Sequence, residues 1–585
     1  MMLHALKPVV PTTAPACNAL LLLVSLSHTI LCWSLLVVGT VSLGAAAATD
    51  AGYTVKSNAF VGLDVQQASV TTTLPWYRGF TSDWWRSNER TQRCDNGAKW
   101  GHSGLLTADL QNARLRYLAT RLSPAVWRIG GTPQDEIVYV IGNPPECASS
   151  KSVQESLAAP GPLCLTMGRW KEIVEFADSC GLKLVMGLNG MYARTRQDEP
   201  FNITNTREFL RFTAESGLSV FAFELSNERL RRAGGATPKV LAQDFTRVRQ
   251  LIVQFWPDKT TRPMLLGPDS SEKQLKHVRW FAKQIDGGVL DGLSYHSYCS
   301  GVCRCGAPMT QPAALHTCLN SAKYFLQLAR TTNPATLRVW ASEVGPHHCG
   351  GLTNCSDRFM TSFWYLHHLG SLARMGIEVF ARSTLMGADY GLLDKASFHP
   401  RPDYFAALLW GRLMCRHHYH DVTVGSMDGN SVESQDALKL LAFACRSAAE
   451  TQASNHITLL LINLSPEEVL TVYVKLLGWK PSGKRLEYHV SASSQLAPEA
   501  RMKTQNGDWI PLRLSADDKL PDMAPIVSKY SDPVIMSRSS YAFIRIDGHY
   551  EDARYTLYFT YHIVIAALLA LLLLYVRPRR RWLLR

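Results

Sequence analysis

The chain has 585 residues, of which 46% are hydrophobic and 19% are charged, and its formal net charge is +13. This length leaves room for about two to four domains, and the composition excludes an intrinsically disordered protein. The positive charge would attract anionic partners, although a solvated basic surface gives the same balance.

Residues 1–48 are predicted to form a signal peptide or an uncleaved membrane anchor. The stretch from Ala19 to Ala48 is almost free of charge, follows Lys7, and ends in small residues that suit signal peptidase. It is long for a signal peptide, so both cleavage and retention as an anchor stay open.

Residues 59–412 are predicted to form a (β/α)8 TIM barrel, a fold of the α/β class. Eight short runs are apolar on both faces, as strands covered on both sides must be, and helical patterns lie between them. Eight alternating units of this kind are typical of a barrel. The runs cover residues 60–63, 125–129, 182–186, 220–223, 264–266, 292–295, 337–340 and 377–380.

The pattern changes after the barrel. Residues 413–550 contain alternating strand-like runs separated by turns, which predict a C-terminal antiparallel β-sandwich. Residues 556–576 form an apolar run that is long enough, at about 1.5 Å per residue, to be a transmembrane helix. The arginine-rich tail at 577–585 favours the cytosol, so the body of the protein is expected in the lumen or outside.

Cysteines and sequons agree with a lumenal location. Fourteen cysteines are present, and disulfides are their default state in an oxidising compartment. A metal site is the alternative for one cluster, although it lacks the paired C-x2-C spacing of zinc ribbons. That cluster comprises Cys299, Cys303, Cys305 and Cys318. Glycosylation is predicted at the sequons that begin at Asn202, Asn354 and Asn463.

Two glutamates follow predicted barrel strands, where the active sites of such barrels lie. Glu228, preceded by Asn227, comes after the fourth run, and Glu343 comes after the seventh. A single glutamate at a strand end is more often a surface residue, but two can flank a glycosidic bond. In a retaining glycosidase they lie about 5–5.5 Å apart, and Asn227 could contact the sugar 2-hydroxyl.

Longer motifs support this interpretation. They lie at residues 122–132, 187–189, 267–269, 373–379 and 401–404. They resemble the L-S-P-A-x-x-R-x-G-G-T, G-L-N, G-P-D, A-R-M-G-I-E-V and L-P-D-Y motifs of the heparanase family, with Arg401 replacing the last motif's Leu. This family, glycoside hydrolase family 79, contains retaining enzymes that act on glucuronide-containing polysaccharides. The resemblance runs from about residue 59 to 545.

The resemblance implies roles for individual residues. Glu228 would be the acid/base and Glu343 the nucleophile. Tyr298 would hold the nucleophile ionised through its hydroxyl. The other positions that match substrate-binding residues of the family are Asp64, Asn227, Gly350, Gly351 and Tyr390. A general acid must stay protonated at working pH, so we expect a raised pKa for Glu228 and an acidic pH optimum.

The chain departs from the family at several positions. Arg229 replaces a proline after the Asn-Glu pair and, with Arg231 and Arg232, forms a basic cluster suited to sulfate or carboxylate. A solvated basic loop is the alternative. An Arg pair of the family is lost at 274–275. A C-terminal cysteine of the family is also absent, which leaves Cys415 as the candidate disulfide partner of Cys445.

These features predict an endo-β-glucuronidase that acts on heparan sulfate or a related anionic glycosaminoglycan. Two alternatives stay open. An exo-β-glucuronidase is favoured by the long first loop, roughly residues 66–105, which could close one end of the groove. A catalytically silent heparan-sulfate-binding membrane protein is compatible with the same fold. Chemistry based on two carboxylates requires no metal or organic cofactor, and no nucleic-acid partner is predicted. We expect a type I membrane protein of the secretory pathway, in the lysosome or at the cell surface.

Overall fold

The computed structural model describes residues 57–85, 100–101, 103–142, 144–147, 162–230, 235–300, 307–332, 338–415, 418–426, 439–447, 455–550 and 568–570. The predicted signal or anchor at 1–48, the basic tail at 577–585 and nearly all of the predicted transmembrane helix at 556–576 lie outside these residues. Within them, no helix combines the length and apolarity needed to cross a bilayer.

The first part of the described chain alternates strands and helices. In order, the elements are β1 (Ser57–Asp64), β2 (Arg78–Asp83), α1 (Ala113–Arg121), β3 (Ala125–Gly130), β4 (Ile137–Val140), β5 (Leu163–Thr166), α2 (Met167–Ser179), β6 (Leu182–Leu188), α3 (Thr204–Glu215), β7 (Ala222–Leu225), α4 (Pro238–Phe255), β8 (Met264–Ser271), α5 (Leu275–Gln284), β9 (Gly292–Ser300), α6 (Ala307–Thr310), α7 (Pro312–Thr317), α8 (Asn320–Thr332), β10 (Arg338–His347), α9 (Thr361–Met375), β11 (Val379–Arg382) and α10 (Pro402–Leu413).

Eight of these strands close into a parallel barrel, which confirms the predicted TIM barrel. Around the barrel their order is β10-β11-β2-β3-β6-β7-β8-β9, and β9 pairs with β10 to complete the ring. Seven of the eight apolar runs coincide with barrel strands. Strands β4 and β5 form a separate two-stranded parallel sheet.

The prediction of the first barrel strand, at residues 60–63, is wrong. That run lies in β1, which pairs with strands of the C-terminal domain. The barrel position between β11 and β3 is taken by β2, whose sequence RGFTSD is mostly polar although all six residues are buried. Its polarity is tolerated because side chains such as Arg78 find partners inside, here the carbonyls of Ala407 and Leu122.

The second part of the chain is a β-domain, which confirms the predicted change of architecture. Its strands are β12 (Tyr419–His420), β13 (Thr423–Ser426), β14 (Leu440–Arg446), β15 (His456–Asn463), β16 (Leu470–Leu477), β17 (Trp479–Pro481), β18 (Lys484–Ser491), β19 (Arg501–Lys503), β20 (Trp509–Pro511), β21 (Ile526–Lys529), β22 (Val534–Met536) and β23 (Ser540–Tyr550). The larger sheet has the order β12-β14-β15-β23-β18-β19-β20, and its pairings are antiparallel.

A smaller sheet has the order β13-β1-β16-β22, in which β1 and β16 run parallel. Ala59 and Val61 of β1 belong to the same buried apolar cluster as Leu459 and Leu461 of the larger sheet. The two sheets therefore share one core, and the first described strand of the chain completes the C-terminal domain.

Helix α9 joins the barrel to the larger sheet. Every residue from 361 to 373 is buried, which explains why the helix is apolar on all sides. The ring of His367 lies 6.0 Å from that of Phe443 on β14. Gly370 is the point of closest approach, since a Cβ there would lie 2.4 Å from Cδ1 of Phe443.

We therefore expect Gly370→Ala to lower the free energy of unfolding by about 1–3 kcal/mol, as overpacking does. The loss should appear although alanine favours a helix over glycine by about 1 kcal/mol. Calorimetry of the purified protein measures it. Gly168→Ala is the matched control, because a Cβ at this helical position meets no atom within 4 Å. Equal stability of the Gly370→Ala variant and the wild type would refute the close contact.

Candidate active site

Two carboxylates meet across the barrel mouth. Glu228 follows β7, Glu343 lies in β10, and His296 of β9 stands between them. His296 Nδ1 is 3.1 Å from Glu228 Oε1 and 3.9 Å from Glu343 Oε2. Since both distances start at one nitrogen, the two oxygens are at most 7.0 Å apart, the sum of 3.1 Å and 3.9 Å. The pair is therefore close enough to flank one glycosidic bond.

Both oxygens of Glu343 accept hydrogen bonds from side chains of the barrel. Tyr298 donates its hydroxyl to Oε1 at 2.6 Å, and Arg128 Nη1 donates to Oε2 at 2.8 Å. Burial and the charge of Glu343 raise the pKa of Tyr298 well above its usual value, so the phenol stays a donor. A carboxylate held at both oxygens is fixed in orientation, as a nucleophile must be.

Arg128 is the central cation of the site. Its side chain is 1% exposed and donates to Glu224 at 2.9 Å, Asp269 at 2.5 Å and Asn227 at 3.2 Å, besides Glu343. Burial works against the charged guanidinium, but the neighbouring carboxylates outweigh it and raise the pKa of Arg128. Burial, with the charge of Asp269, raises the pKa of Glu224 to about 7.

His296 supplies a second positive charge. Burial disfavours its imidazolium form, but Asp269 and Glu343 raise the pKa of His296 well above its usual value. Asp269 lies 2.5 Å from His296 Nε2. Burial opposes the ionisation of Asp269, yet Arg128 and His296 lower its pKa to about 2. The charged imidazolium therefore has its other nitrogen, Nδ1, free to donate to Glu228.

Asp64 was predicted to contact substrate because it matches a family residue and follows the run assigned to the first barrel strand. That strand assignment is wrong. Asp64 ends β1 in the C-terminal domain, where its Oδ1 accepts from the amide of Gln66 at 3.0 Å. The carboxylate that ends the first true barrel strand is Asp83. Trp85 Nε1 donates to Asp83 Oδ2 at 3.2 Å, and burial, reinforced by Glu343, raises the pKa of Asp83.

The other predicted positions lie near Tyr298, which binds Glu343. The rings of Tyr390 and Tyr298 are 6.4 Å apart. Gly350 and Gly351 have φ of 74° and 93°, and a Cβ at Gly351 would lie 3.0 Å from Tyr390 Cδ1. These positions therefore require glycine. The amide of Gly351 donates to the carbonyl of His348 at 3.2 Å, so a sugar carboxylate would compete with this bond.

Arg229, which was predicted to belong to a basic cluster, is paired with a buried carboxylate. Its Nε donates to Asp135 Oδ2 at 2.9 Å, and the Asp135 side chain is fully buried. Arg231 and Arg232 lie outside the described residues. The sequence identified the two glutamates but missed Asp83, Asp135, Glu224 and His296. Asp83 could have been found from the Asp-Trp-Trp sequence within the predicted long first loop.

The predicted glycosylation sites differ in accessibility. Asn202 and Asn354 are exposed. Asn463 is fully buried, and its amide donates to the carbonyls of Glu468 and Ser537, both at 2.9 Å. A glycan needs that amide nitrogen at the surface, so the structure contradicts the prediction for Asn463.

Two of the described disulfides link Cys147 to Cys164 and Cys299 to Cys318. The second pair belongs to the cysteine cluster, and His368 Nε2 lies 3.4 Å from Cys299 Sγ. The pairing inferred for Cys415 and Cys445 is not formed. Both are buried free thiols, and the amide of Cys415 donates to Cys445 Sγ at 2.7 Å.

Comparison with known proteins agrees with this geometry. Residues 61–370 match the sequence profile described as "Glycosyl hydrolase family 79, N-terminal domain". Heparanase-like protein 1 of Arabidopsis thaliana is 27% identical over 515 residues, covering 79% of this chain and 89% of that protein. Baicalin-beta-D-glucuronidase of Scutellaria baicalensis is 26% identical, with 78% and 87% covered. Heparanase of Mus musculus is 29% identical, with 52% and 64% covered.

Solved structures share the fold. An alpha-L-arabinofuranosidase from Thermotoga maritima superimposes with a TM-score of 0.57 at 12% identity, covering 84% of this chain and all of that one. A 4-O-alpha-L-rhamnosyl-beta-D-glucuronidase from Fusarium oxysporum gives 0.55 at 13% identity, covering 83% and 99%. At these identities the likeness concerns the fold alone.

Loss of the central cation should destabilise the protein in a pH-dependent way. We expect Arg128→Gln to lower the free energy of unfolding by about 3–5 kcal/mol at about pH 7.5, because buried carboxylates lose their partner. Without Arg128 the pKa of Asp269 in the folded state rises. Protonation as the pH falls then removes the penalty, so the deficit should shrink at about pH 4.5.

Thermal unfolding at the two pH values checks this expectation. Arg114→Gln is the control, since Arg114 pairs with Asp518 at the surface and should contribute at most about 1 kcal/mol. A deficit for Arg128→Gln that is unchanged or larger in acid would show that unpaired carboxylates are not its cause.

Proposed function

Because the chain belongs to glycosyl hydrolase family 79, we propose that it cleaves β-glucuronidic linkages by double displacement with retention of configuration. Glu343 is the nucleophile and Glu228 the acid/base in this proposal. The observation that carries it is the approach of both carboxylates to His296 Nδ1, which limits their facing oxygens to 7.0 Å. This limit includes the spacing of about 5–5.5 Å that retaining enzymes use.

The reaction has two steps. First, a Glu343 oxygen bonds to the anomeric carbon while the glycosidic bond breaks and Glu228 transfers its proton to the leaving oxygen. Second, water bonds to the same carbon, Glu228 takes a proton from that water, and the bond to Glu343 breaks. Tyr298 and Arg128 hold the nucleophile in its line of attack. Asn227, whose Oδ1 accepts from Arg128, is oriented for the sugar 2-hydroxyl.

The proposed substrate is heparan sulfate or a related anionic glycosaminoglycan. Support comes from relatives named as heparanases and from the basic character of the chain. Asp83, in place of Asp64, is the carboxylate proposed to contact the sugar, since it ends a barrel strand beside Trp85. Gly350, Gly351 and Tyr390 are proposed to receive the glucuronate carboxylate.

Exo-action is a second candidate, and a wall of aromatic side chains favours it. Trp85 and Trp100 stack with their rings 6.5 Å apart and share an apolar cluster with Tyr390, against which Tyr298 packs. None of the first three is more than 9% exposed. A packed wall beside Tyr298, which binds the nucleophile, suits a pocket for a terminal sugar better than an open groove. The relative named Baicalin-beta-D-glucuronidase points the same way.

Incubation of the purified protein with heparan sulfate and with an aryl β-glucuronide separates the candidates. Internal chain shortening supports endo-action, whereas release of glucuronic acid alone supports exo-action. Binding of heparan sulfate without any cleavage would leave the third candidate, a silent glycan-binding protein. Proton NMR of the first-formed sugar tests the mechanism, because the proposed reaction releases the β-anomer.

The protein is proposed to reside in the secretory pathway as a type I membrane protein, in the lysosome or at the cell surface. The two disulfides described above support an oxidising compartment. An acidic pH optimum is part of the proposal. The positive charge of His296 is present below its raised pKa and is lost as the pH rises through that value. Activity should therefore fall above that raised pKa, whereas the acidic optimum itself rests on the proton that Glu228 must keep as the proposed acid.

We expect Glu343→Ala to reduce hydrolysis of an aryl β-glucuronide by about four orders of magnitude or more, since no covalent intermediate can form. Steady-state rates measure the loss. Glu175→Ala is the control, because Glu175 is an exposed helix residue that pairs with Arg116 far along the chain from both carboxylates. Substantial activity of the Glu343→Ala variant would exclude it as the nucleophile.

Asp83 and Asp64 form a matched pair of substitutions. Asp83→Asn should lower kcat/KM by about 100-fold or more, because contacts to sugar hydroxyls strengthen in the transition state and contribute several kcal/mol. Asp64→Asn should change it by less than about twofold, since Asp64 lies in the other domain. A larger loss of kcat/KM for Asp64→Asn than for Asp83→Asn would instead support Asp64 as the substrate contact.

A further inference from the structure

The backbone that carries Glu228 has an unusual conformation. Ser226 and Glu228 have φ of 63° and 54°, in the left-handed region that favours glycine. Such a residue is disfavoured by about 1–2 kcal/mol and persists only where its surroundings hold it. The position of the proposed acid therefore depends on what holds this turn.

Hydrogen bonds fix the peptide groups around Glu228. The amide of Asn227 donates to Asp135 Oδ2 at 2.9 Å, and the amide of Glu228 donates to the carbonyl of Asp269 at 2.9 Å. Gln274 Nε2 donates to the carbonyl of Glu228 at 2.8 Å. Two side chains, those of Asp135 and Gln274, take part in these bonds, and only that of Asp135 is ionisable.

A single oxygen of Asp135 binds both neighbours of the acid. Oδ2 accepts from the amide of Asn227 and from the guanidinium Nε of Arg229, each at 2.9 Å, while Oδ1 accepts from the amide of Gly190 at 3.2 Å. Arg229 thus neutralises the Asp135 carboxylate, which in turn holds the amide of Asn227. Both neighbours of Glu228 in the sequence are therefore bound to the same carboxylate oxygen.

The charge of Arg229 is needed for this arrangement. Asp135 has no exposed side-chain surface, and burial raises its pKa, whereas Arg229 and the two amides oppose that rise. Without Arg229, Asp135 would take up a proton more readily, and a protonated carboxyl is a weaker acceptor for the amide of Asn227. The Arg229 side chain is 20% exposed, so it links this buried carboxylate to the surface.

We propose that Asp135 and Arg229 are positioning residues that together set the direction of the Glu228 carboxyl, and that Arg229 is not primarily a substrate anchor. The proposal rests on the proposed function, in which Glu228 is the proton donor. It predicts a specific defect: proton transfer to the leaving group is impaired while attack by Glu343 is not.

Leaving-group dependence isolates that defect. An aryl glucuronide with a strongly acidic phenol, such as 2,4-dinitrophenol, leaves without a proton, whereas a 4-methoxyphenyl glucuronide needs one. We expect Asp135→Asn and Arg229→Gln to lower kcat/KM by about 10- to 100-fold for the second substrate and by less than about threefold for the first. Arg229→Lys should recover most of the loss, since it restores the charge.

Controls separate positioning from other roles. Arg249→Gln removes an arginine of helix α4 that has similar exposure and pairs with Asp291, just before β9. It should affect both substrates equally or not at all. Equal losses on both glucuronides for Arg229→Gln would overturn the proposal. A rise in KM confined to a sulfated oligosaccharide, with normal aryl kinetics, would overturn it in favour of substrate anchoring.

Hydrogen exchange keeps failure of this inference distinct from failure of the proposed function. If the wild type cleaves no glucuronide, the proposed function fails, yet the pair can still be examined. Amides of residues 226–230 should exchange at least about tenfold faster in Arg229→Gln and Asp135→Asn than in wild type, with residues of α9 unchanged. Unchanged exchange at 226–230 would refute the positioning role by itself.

Discussion

One buried guanidinium makes the active site possible. The barrel mouth gathers Glu224, Asp269 and Glu343 in a buried region, where uncompensated negative charges would be very unfavourable. Arg128 contacts all three, and the His296 imidazolium adds a second cation. Two positive charges among these carboxylates allow Glu343 to be both buried and oriented.

The two glutamates that we propose to be catalytic are held in different ways. Glu343 lies within a strand and is fixed through its side chain by Tyr298 and Arg128. Glu228 lies in a left-handed turn and is fixed mainly through the backbone, by Asp135, Asp269 and Gln274. A nucleophile needs a defined charge, whereas a residue that alternates between acid and base needs a defined direction in both protonation states. The two kinds of support match these needs.

The β-domain contacts the barrel through α9, and it contains strands from both before and after the barrel in the sequence. Strand β1, which precedes the barrel, completes the smaller sheet beside β16, and α9 is buried between the barrel and the larger sheet. In the sequence, the barrel is therefore flanked on both sides by strands of the same β-domain. This topology explains why an apolar run ahead of the barrel was mistaken for its first strand, since both domains bury β-strands equally well.

The sequence by itself determined the barrel, the β-domain after it and the two glutamates, because alternating apolar runs and the ends of parallel strands are local patterns. It also predicted roles for Tyr298, Tyr390, Gly350 and Gly351 through their match to positions of the family. Only the tertiary structure showed that Asp83, and not Asp64, ends a barrel strand, because β2 is polar in sequence and becomes recognisable as a buried strand only when its partners are present. It alone revealed the buried state of Asn463 and the contacts of Arg128, His296 and Asp135. These depend on side chains far apart in the chain, and no local pattern encodes which buried charges will meet.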